Sequence, residues 1–574
     1  MPVLGNPPPV RATPARLIAS AAVRLPRRLL LAICLIYITF GLFLRDPWKT
    51  EDVIGLAQMW SAARLGGLAW LTPMVGDTLS AINGPLTAWV GGLSLLWLGP
   101  LTGDIIAGRL PNLLWFSLSS ASVWYGTYLL GRRPDAQPLA LPFGGQPSPR
   151  DYGRMLADAA LLLWLATLGL AWPTHETSAM PAALACQAVA FYGLARLRDQ
   201  PASGAAALGL AFAGAYLSRG LPAVLPLALA LPLVLRWRWQ EELRPLLCLG
   251  LPLAVLPCAA WWIAARAWHP EWLLTWQYWQ QAQLGLPTAA GVLSLLRNLP
   301  WFLWPLWPLA LIAAWRWRGW YGASHLRIPL GMAVAALVSL LCFRRPDEAD
   351  LLALVVPGAA LAALALPTLR RGQVNALDWF AVMAFSVAGV LVWFGWTTAL
   401  TGWPVQIANN IARQTPGFQL PFSAYAFAMA AAATAAWFAL LHWRLRTHPS
   451  ALWRGTMLSA GGVLLAWVLL VTLWLPSIDY ARSYRPVASG LAQIVARQPD
   501  SPCLDSSGLG LAQRASFAVF EGLVFDRESD CPLVLQQTTQ SDPEPLPGAE
   551  PAILLWQGAR PADRHEFFRL YRRP

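Results

Sequence analysis

Residues 29–52 read LLLAICLIYITFGLFLRDPWKTED, and this stretch decides how the rest of the chain is read. Residues 29–44 carry no charged side chain, with Arg27 and Arg28 before them and Arg45 and Asp46 directly after. An apolar run bounded by charges in this way is a candidate membrane span. The paired arginines place its start in the cytoplasm, because basic residues are retained on that side. The preceding segment, 1–28, is basic and Pro-rich (Arg11, Arg16, Arg24, Arg27, Arg28). The apolar run lacks a small-residue cleavage site after it, so an uncleaved first span is expected and no signal peptide. Just beyond the span two carboxylates, Glu51 and Asp52, stand side by side.

The whole chain agrees with this start. Of 574 residues, 56% are hydrophobic and 12% charged, with a mean hydropathy of +0.46. Soluble domains carry about twice that share of charge, and disordered chains need low hydrophobicity and high charge. The apolar stretches are continuous and do not alternate with period two, which excludes an outer-membrane barrel. A polytopic α-helical membrane protein remains. The 33 tryptophans suit bilayer interfaces. The net charge of +13 is almost entirely arginine, Lys49 being the single lysine. Those arginines stand in short loops between apolar runs, so the charge reads as positive-inside bias and no nucleic-acid partner is expected.

The first outer loop, 45–103, has apolar residues at helical spacing near 51–66 and 84–98. Amphipathic helices on the outer surface are expected there, with a short second span as the other reading of 84–98. Further spans are expected at 104–131, 155–172, 176–195, 204–218, 220–236, 245–266, 298–315, 328–343, 349–368, 378–398, 421–442 and 455–475. The total is about thirteen, and several are short for a bilayer. Alternate loops hold the arginine pairs (Arg132/Arg133, Arg196/Arg198, Arg236/Arg238, Arg316/Arg318, Arg370/Arg371, Arg444/Arg446), which puts the C-terminus outside.

Composition changes after Pro476. Residues 477–574 are polar, with strand-like pieces SFAVF, AILLW and FFRLY between turn residues, and predict a small α/β periplasmic domain. The chain therefore divides into a cytoplasmic 1–28, a transmembrane 29–476 and a periplasmic 477–574. Five of the seven cysteines lie in apolar spans, while Cys503 and Cys531 are the only pair in the tail. In an oxidising compartment they are expected to form a disulfide. No CxxC or His-rich spacing supports a zinc site.

Ionisable residues at the outer ends of spans are functional candidates by position. Glu51 and Asp52 suit a general base acting on an incoming hydroxyl or amine, or simply the N-terminal dipole of a helix. His175 and Glu176, in the turn Trp172–Thr177, suit substrate contact or a solvated loop. Arg219, before Gly220 in a tight turn, suits a phosphate or the interface alone. Arg344 and Arg345 break the positive-inside trend and with Arg219 make a phosphate clamp, unless Asp347, Glu348 and Asp350 neutralise them. The segment 479–485 joins the last span to the tail and suits either a cover over the outer cavity, with Tyr484 as a substrate contact, or a plain linker. Span interiors are nearly free of charge, Asp158 being an exception, whereas transporters place polar groups near the midplane. An enzyme acting on a phosphate-bearing lipid at the outer surface is the reading that follows.

The succession of first span, acidic pair, amphipathic loop, about thirteen spans and outer tail resembles the GT-C superfamily of membrane glycosyltransferases. It is similar in particular to the bacterial aminoarabinose transferases of lipid A and the protein O-mannosyltransferase-like enzymes. The resemblance covers most of the chain in architecture, through short motifs. The family's acidic pair after a tryptophan matches Trp48 and Glu51-Asp52 with the order of acids reversed, which implies Glu51 as the catalytic carboxylate and keeps Asp52 as the other candidate. Its Lys-Gly turn at the carrier phosphate matches Arg219-Gly220, and its basic outer loop matches Arg344-Arg345. Where the aminoarabinose transferases carry Glu-Lys-Pro this chain has Asn83-Gly84-Pro85, and where they carry Glu-His it has Gln280-Gln281. Neutral amides are poor ligands for a divalent ion, so no metal and no other cofactor is expected, with Asn83 and Gln281 as substrate contacts instead. A family Asp falls on Met180 here, and His175-Glu176 has no counterpart.

What the resemblance implies is transfer of a sugar from a polyprenyl-phosphate donor to an envelope acceptor (lipid A or lipopolysaccharide, a glycolipid or a protein) at the periplasmic face of a bacterial inner membrane. A single displacement inverts the anomeric carbon, since no second carboxylate is placed as a nucleophile. The alternatives are a polysaccharide ligase or polymerase using a lipid diphosphate, and a flippase of lipid-linked sugars.

Overall fold

The computed structural model describes residues 12–22, 25–49, 51–140, 144–447, 451–498, 503–525, 531–539, 552–563 and 565–573. Of the N-terminal arginines, Arg11 and Arg24 lie outside the described residues. A helix lies over each segment expected to span, from Arg27–Thr39 at the first to Ala451–Leu473 at the last. Among the described residues, five helices are long and apolar enough to cross a bilayer: Trp239–Trp268, Glu348–Thr368, Arg371–Thr401, Ala424–Thr447 and Trp453–Leu473. Pro149–Leu165 and Leu168–His175 pass the same test together and are bent by 66° at the break between them, as a broken span or a re-entrant loop is. The other apolar helices are shorter, including Leu221–Val234 and Ser324–Leu340.

Local chemistry sets many of the ends. Proline, which has no N–H to leave unpaired, opens Pro111–Gly131, Pro149–Leu165, Pro201–Arg219 and Pro270–Gln283. The Ser148 hydroxyl accepts from Asp151 N at 3.2 Å to cap the second of these. Proline also divides two expected spans. The segment 104–131 becomes Asp104–Arg109 and Pro111–Gly131, and 298–315 becomes the end of Ala289–Phe302 and Leu306–Arg316, with Pro305 between.

Surface chemistry confirms a multi-pass membrane protein. Along Arg371–Thr401, Phe380, Met383, Val387, Val390 and Phe394 are all exposed at spacings of three and four. A stripe of that kind belongs against lipid tails. At the centre of the bundle Glu348–Ala365 is buried on every side, with Leu351–Ala365 buried without a break. Its first turn carries a capping box, Asp347 and Asp350 each accepting from the other's backbone N–H at 3.1 and 3.0 Å. This helix runs from the candidate site at its N-terminus to an arginine-lined cavity at its C-terminus, about 25 Å along its axis at 1.5 Å per residue.

Two expectations change. The helix Glu51–Arg64 is where the first amphipathic helix was expected, yet it is buried on nearly all sides. Its Val53, Leu56 and Met59 pack with Ala515 and Val519 of the tail, so the surface position is replaced by a core position beneath the C-terminal residues. The second outer-loop helix is Leu86–Thr102, which exposes Trp97 and Leu101 at its far end. In the tail, SFAVF lies in a helix, Leu511–Glu521, and not in a strand. Leu511, Ala515 and Val519 recur every four residues and face the outer-loop helix, a helical period that the five-residue piece alone conceals.

The remaining tail is a four-stranded sheet in the order Leu504–Ser507, Leu533–Thr538, Phe567–Arg572, Ile553–Ala559. The first pair is parallel and the other two pairs antiparallel. AILLW and FFRLY fall in its strands as expected. Arg485–Val495 and Leu511–Glu521 cover the sheet around Leu491, Phe517, Leu535 and Phe568. Cys503 and Cys531 are disulfide-bonded, with Cα atoms 5.2 Å apart, at the starts of the parallel pair.

Candidate active site

The first span ends at Thr39 and the chain folds back over its own end. Arg45 fixes this reversal: its Nε donates to Gly41 O at 2.9 Å and its Nη2 to His175 O at 2.7 Å. Its Nη1 donates to Asp52 Oδ2 at 2.6 Å. Trp48 N donates to the same oxygen at 3.2 Å, and Thr177 N donates to Asp52 Oδ1 at 2.7 Å. Arg109 Nη2 lies 3.9 Å from Oδ2. Burial alone would raise the Asp52 carboxyl, but the Arg45 and Arg109 charges and these hydrogen bonds outweigh it and hold the group below its ordinary range. Asp52 is therefore a fully committed carboxylate. Gly55 allows the arrangement, because a Cβ there would stand 1.9 Å from Thr177 O.

Glu51, one residue earlier, is the opposite case. It is nearly buried, and its Oε2 has no hydrogen-bond partner among the described residues. Burial raises its carboxyl; the Arg219 charge pulls it back and the Asp347 charge pushes it further up. Arg219 ends the helix Pro201–Arg219 and is 8% exposed. Its Nε is also without a partner, and its Nη2 lies 4.0 Å from Asp347 Oδ2. Gly220 follows in the left-handed region (φ +70°), where a Cβ would meet Gln280 Oε1 at 2.3 Å. That oxygen accepts from Leu221 N at 2.7 Å and fixes the turn. Gly84 N donates to Ser218 O at 2.8 Å, which brings Asn83 alongside with its Nδ2 buried and unpaired. Below the turn, Arg219, Gln187 and Asp350 line a cavity of about 30 Å³.

Glu176 is a third carboxyl in the same region. It lies in the turn ahead of Met180–Arg196 and accepts from Trp172 Nε1 at 2.6 Å. Burial, then the charges of Asp52 and Glu51, push its carboxyl up to about 8, against the Trp172 bond that lowers it. Near neutral pH it is largely protonated. Trp172 stacks on Trp48 with centroids 5.0 Å apart, and the Arg482 guanidinium lies 5.6 and 5.4 Å from the two rings. Arg45, Arg109, Trp172 and Arg482 were not assigned roles from sequence. Arg45 and Arg109 carry a readable signal, a charge beside or within an expected apolar span.

Other expected site residues fall elsewhere. His175 is 1% exposed, with its ring nitrogens 2.5 Å from Ala171 O and 2.8 Å from Tyr37 O and its ring against Tyr37 and Trp467. It clasps the end of the first span and has no open face. Arg344 does not join Arg219; its Nε donates to Leu284 O at 3.0 Å in an exposed loop. Arg345 is exposed, and it is Asp347 that approaches Arg219. Gln281 is exposed while Gln280 is buried at the turn, so the neighbouring amide takes the expected place. Tyr484 is in the tail core, donating to Glu566 Oε2 at 2.6 Å beneath Arg560. Among the described residues, no group of three or more His, Cys, Asp or Glu side chains is arranged to hold a metal ion.

No protein-family model matches this sequence, and no curated protein does. Solved structures match over nearly the whole length. ArnT from Cupriavidus metallidurans bound to undecaprenyl phosphate aligns with a TM-score of 0.64 and 15% identity, covering 95% of this chain and 97% of that one. The same protein in the apo state aligns with a TM-score of 0.61 and 14% identity over the same shares. The fold is thus shared with ArnT over nearly the whole chain, in keeping with the order of features in the sequence.

Proposed function

We propose that this chain is an integral-membrane glycosyltransferase that moves a sugar from a polyprenyl-phosphate donor to an envelope acceptor, with inversion, at the periplasmic face of a bacterial inner membrane. One observation carries the reading. Glu51 Oε2 and Arg219 Nε are both buried atoms without a partner, and each residue lies in the other's field. Buried polar atoms left unpaired are costly and concentrate where a substrate completes them. The donor class is supported by the fold shared with a protein solved bound to undecaprenyl phosphate.

In this reading the donor phosphate sits on Arg219, displacing the 4.0 Å approach of Asp347. The guanidinium fork matches two phosphate oxygens. Glu51 Oε2 takes the proton from the acceptor hydroxyl or amine as its lone pair forms the new bond to the anomeric carbon. The bond from that carbon to the phosphate oxygen breaks, and its electron pair leaves with polyprenyl phosphate. Arg219 stabilises the charge that develops there. Glu176, protonated near neutral pH, adds no third negative charge beside Glu51 and Asp52. The acceptor is lipid A or lipopolysaccharide, a glycolipid or a protein.

The residues at the family's metal position do not suit a divalent ion. Gln280 Oε1 is engaged by Leu221 N–H, and Asn83 brings only a neutral amide. No step here is routed through a metal.

The test is a donor panel. Purified protein is incubated with polyprenyl-phosphate sugars and an envelope-lipid fraction, and release of polyprenyl phosphate is followed. Release by the wild type that is lost in Glu51→Gln and Arg219→Ala is the expected result. Consumption of lipid-diphosphate sugars alone would overturn the proposal in favour of a ligase or polymerase.

A further inference from the structure

At the end of the bundle opposite Glu51, three chain segments border an open cavity of about 780 Å³. The N-terminal segment contributes Arg16. The end of Leu306–Arg316 and the turn after it contribute Arg316 and Arg318, and the turn after Glu348–Ala365 contributes Arg370. Trp315 and Trp320 complete the wall. No Asp or Glu lines the cavity. None of the four arginines pairs with a carboxylate among the described residues.

Some other arginines of the chain do reach an acid: Arg133 reaches Asp199 at 2.8 Å, Arg238 reaches Glu241 at 2.9 Å, and Arg444 reaches Asp378 at 2.7 Å. The cavity is also held in shape. Arg16 N donates to Pro367 O at 3.1 Å, Leu139 N to Ala15 O at 2.9 Å, and the Thr13 hydroxyl to Gln137 O at 2.8 Å. These bonds fix the N-terminal segment so that Arg16 faces the same space as Arg370. Like charges gathered without a counter-charge repel one another, and an anion in their midst reverses the sign of that energy. A volume of this size takes a headgroup with room to spare. Trp315, with most of its surface exposed, is suited to the headgroup level of a bilayer.

We propose that this cavity binds the phosphodiester headgroup of an anionic glycerophospholipid from the adjacent leaflet, cytoplasmic in the orientation proposed above. The arginine forks hold the phosphate oxygens, and the tryptophans lie against the glycerol and upper acyl chains. Basic pockets between helix ends on the cytoplasmic side recognise anionic lipids through these same contacts. The site is separate from Glu51 and Arg219 and requires no assumption about the reaction.

The full chain, purified in uncharged detergent, is titrated with phosphatidylglycerol, with phosphatidylcholine and with inorganic phosphate, and bound molecules are counted by native mass spectrometry. Phosphatidylglycerol is expected to be retained and phosphatidylcholine not. Arg16→Gln should weaken retention about fivefold, and Arg16→Gln with Arg316→Gln about twenty-five-fold, at the strength typical of one basic residue near an anionic surface. The single variant lies in a peripheral segment and serves if the double variant does not fold. Arg446→Gln, an exposed arginine outside the cavity, is expected to leave retention unchanged. Equal weakening by Arg446→Gln would show general surface attraction and overturn the proposal. So would undiminished retention in Arg16→Gln, or inorganic phosphate binding alone and excluding the lipid, which would mark a site for a soluble phosphate.

Discussion

Glu51 and Asp52 are adjacent, yet neutralising each should do opposite things. In Asp52→Asn one carboxylate oxygen becomes an NH₂. If it faces Arg45 and Trp48 N, it sets a donor against two donors at 2.6 and 3.2 Å; if it faces Thr177 N, it does so at 2.7 Å. Arg45 and Arg109 also lose a carboxylate that lies 2.6 and 3.9 Å from them, inside a site that is 1–6% exposed. Breaking a buried pair by removing one partner costs about 3–5 kcal/mol. Glu51→Gln removes no hydrogen bond, because Oε2 has none, and it relieves the burial of a charge; its stability should stay within about 1 kcal/mol of wild type. Its loss should appear in turnover, where a positioned general base contributes roughly 10²–10⁴-fold. The assay is release of polyprenyl phosphate beside an apparent melting temperature in detergent at one scan rate, because membrane proteins often unfold irreversibly. The expected result is a stable, inactive Glu51→Gln and a destabilised Asp52→Asn that keeps activity in proportion to its folded fraction. A stable but inactive Asp52→Asn together with an active Glu51→Gln would refute the assignment.

Three further outcomes follow from the same geometry. Glu176, raised from an ordinary 4.5 to about 8, binds a proton more tightly folded than unfolded, so its contribution is complete below about pH 4.5 and is lost as pH rises towards 8; Glu176→Gln, which can still accept from Trp172, should flatten that decline in a pH series of melting temperatures. Because Asp347 competes with an anionic donor for Arg219 from a half-exposed position, Asp347→Asn should lower the donor KM about two- to fivefold with kcat unchanged, the scale of a weak exposed pair. Removing the disulfide with Cys503→Ser and Cys531→Ser should cost the tail about 3–4 kcal/mol, from a closed loop of 28 residues, read as faster proteolysis of the tail under oxidising conditions.

The sequence located the site better than it located the side chains. Glu51 and Arg219 were legible because each ends or follows an apolar run on the side expected to face outward, a property of position alone. The division of labour between Glu51 and Asp52 was not, since it depends on Arg45 folding back and on Arg109 arriving from the helix Asp104–Arg109. Arg344 and Arg345 were plausible by charge, but a loop position does not determine where a long side chain points, and the backbone carbonyl of Leu284 claimed the first of them. Gln280 and Gln281 differ by about 100° around a helix, which motif spacing alone did not resolve. Tyr484 and the SFAVF helix were misplaced for one shared reason: tertiary contacts with the tail and the outer loop decide both.

Those contacts bear on what the tail is for. Asp46 is gripped by Arg485 at 2.5 Å and by the Ser483 hydroxyl at 2.7 Å. Trp48 Nε1 donates to Asp479 at 2.7 Å, and Lys49 lies 3.3 Å from Glu566. Glu566 in turn accepts from Tyr484, Gln513, Gln537 and Arg560, so the only lysine in the chain ends on a carboxylate embedded in the tail. The residues just before Glu51 are thus tied to the C-terminal part of the chain, while Asp52 just after is tied to the transmembrane part through Thr177. Glu51 sits at the junction, with neither set of bonds using its own carboxylate. A group whose chain neighbours are held by their side chains on both sides, and whose own carboxylate is left free, is positioned without being spent, which is what a general base requires.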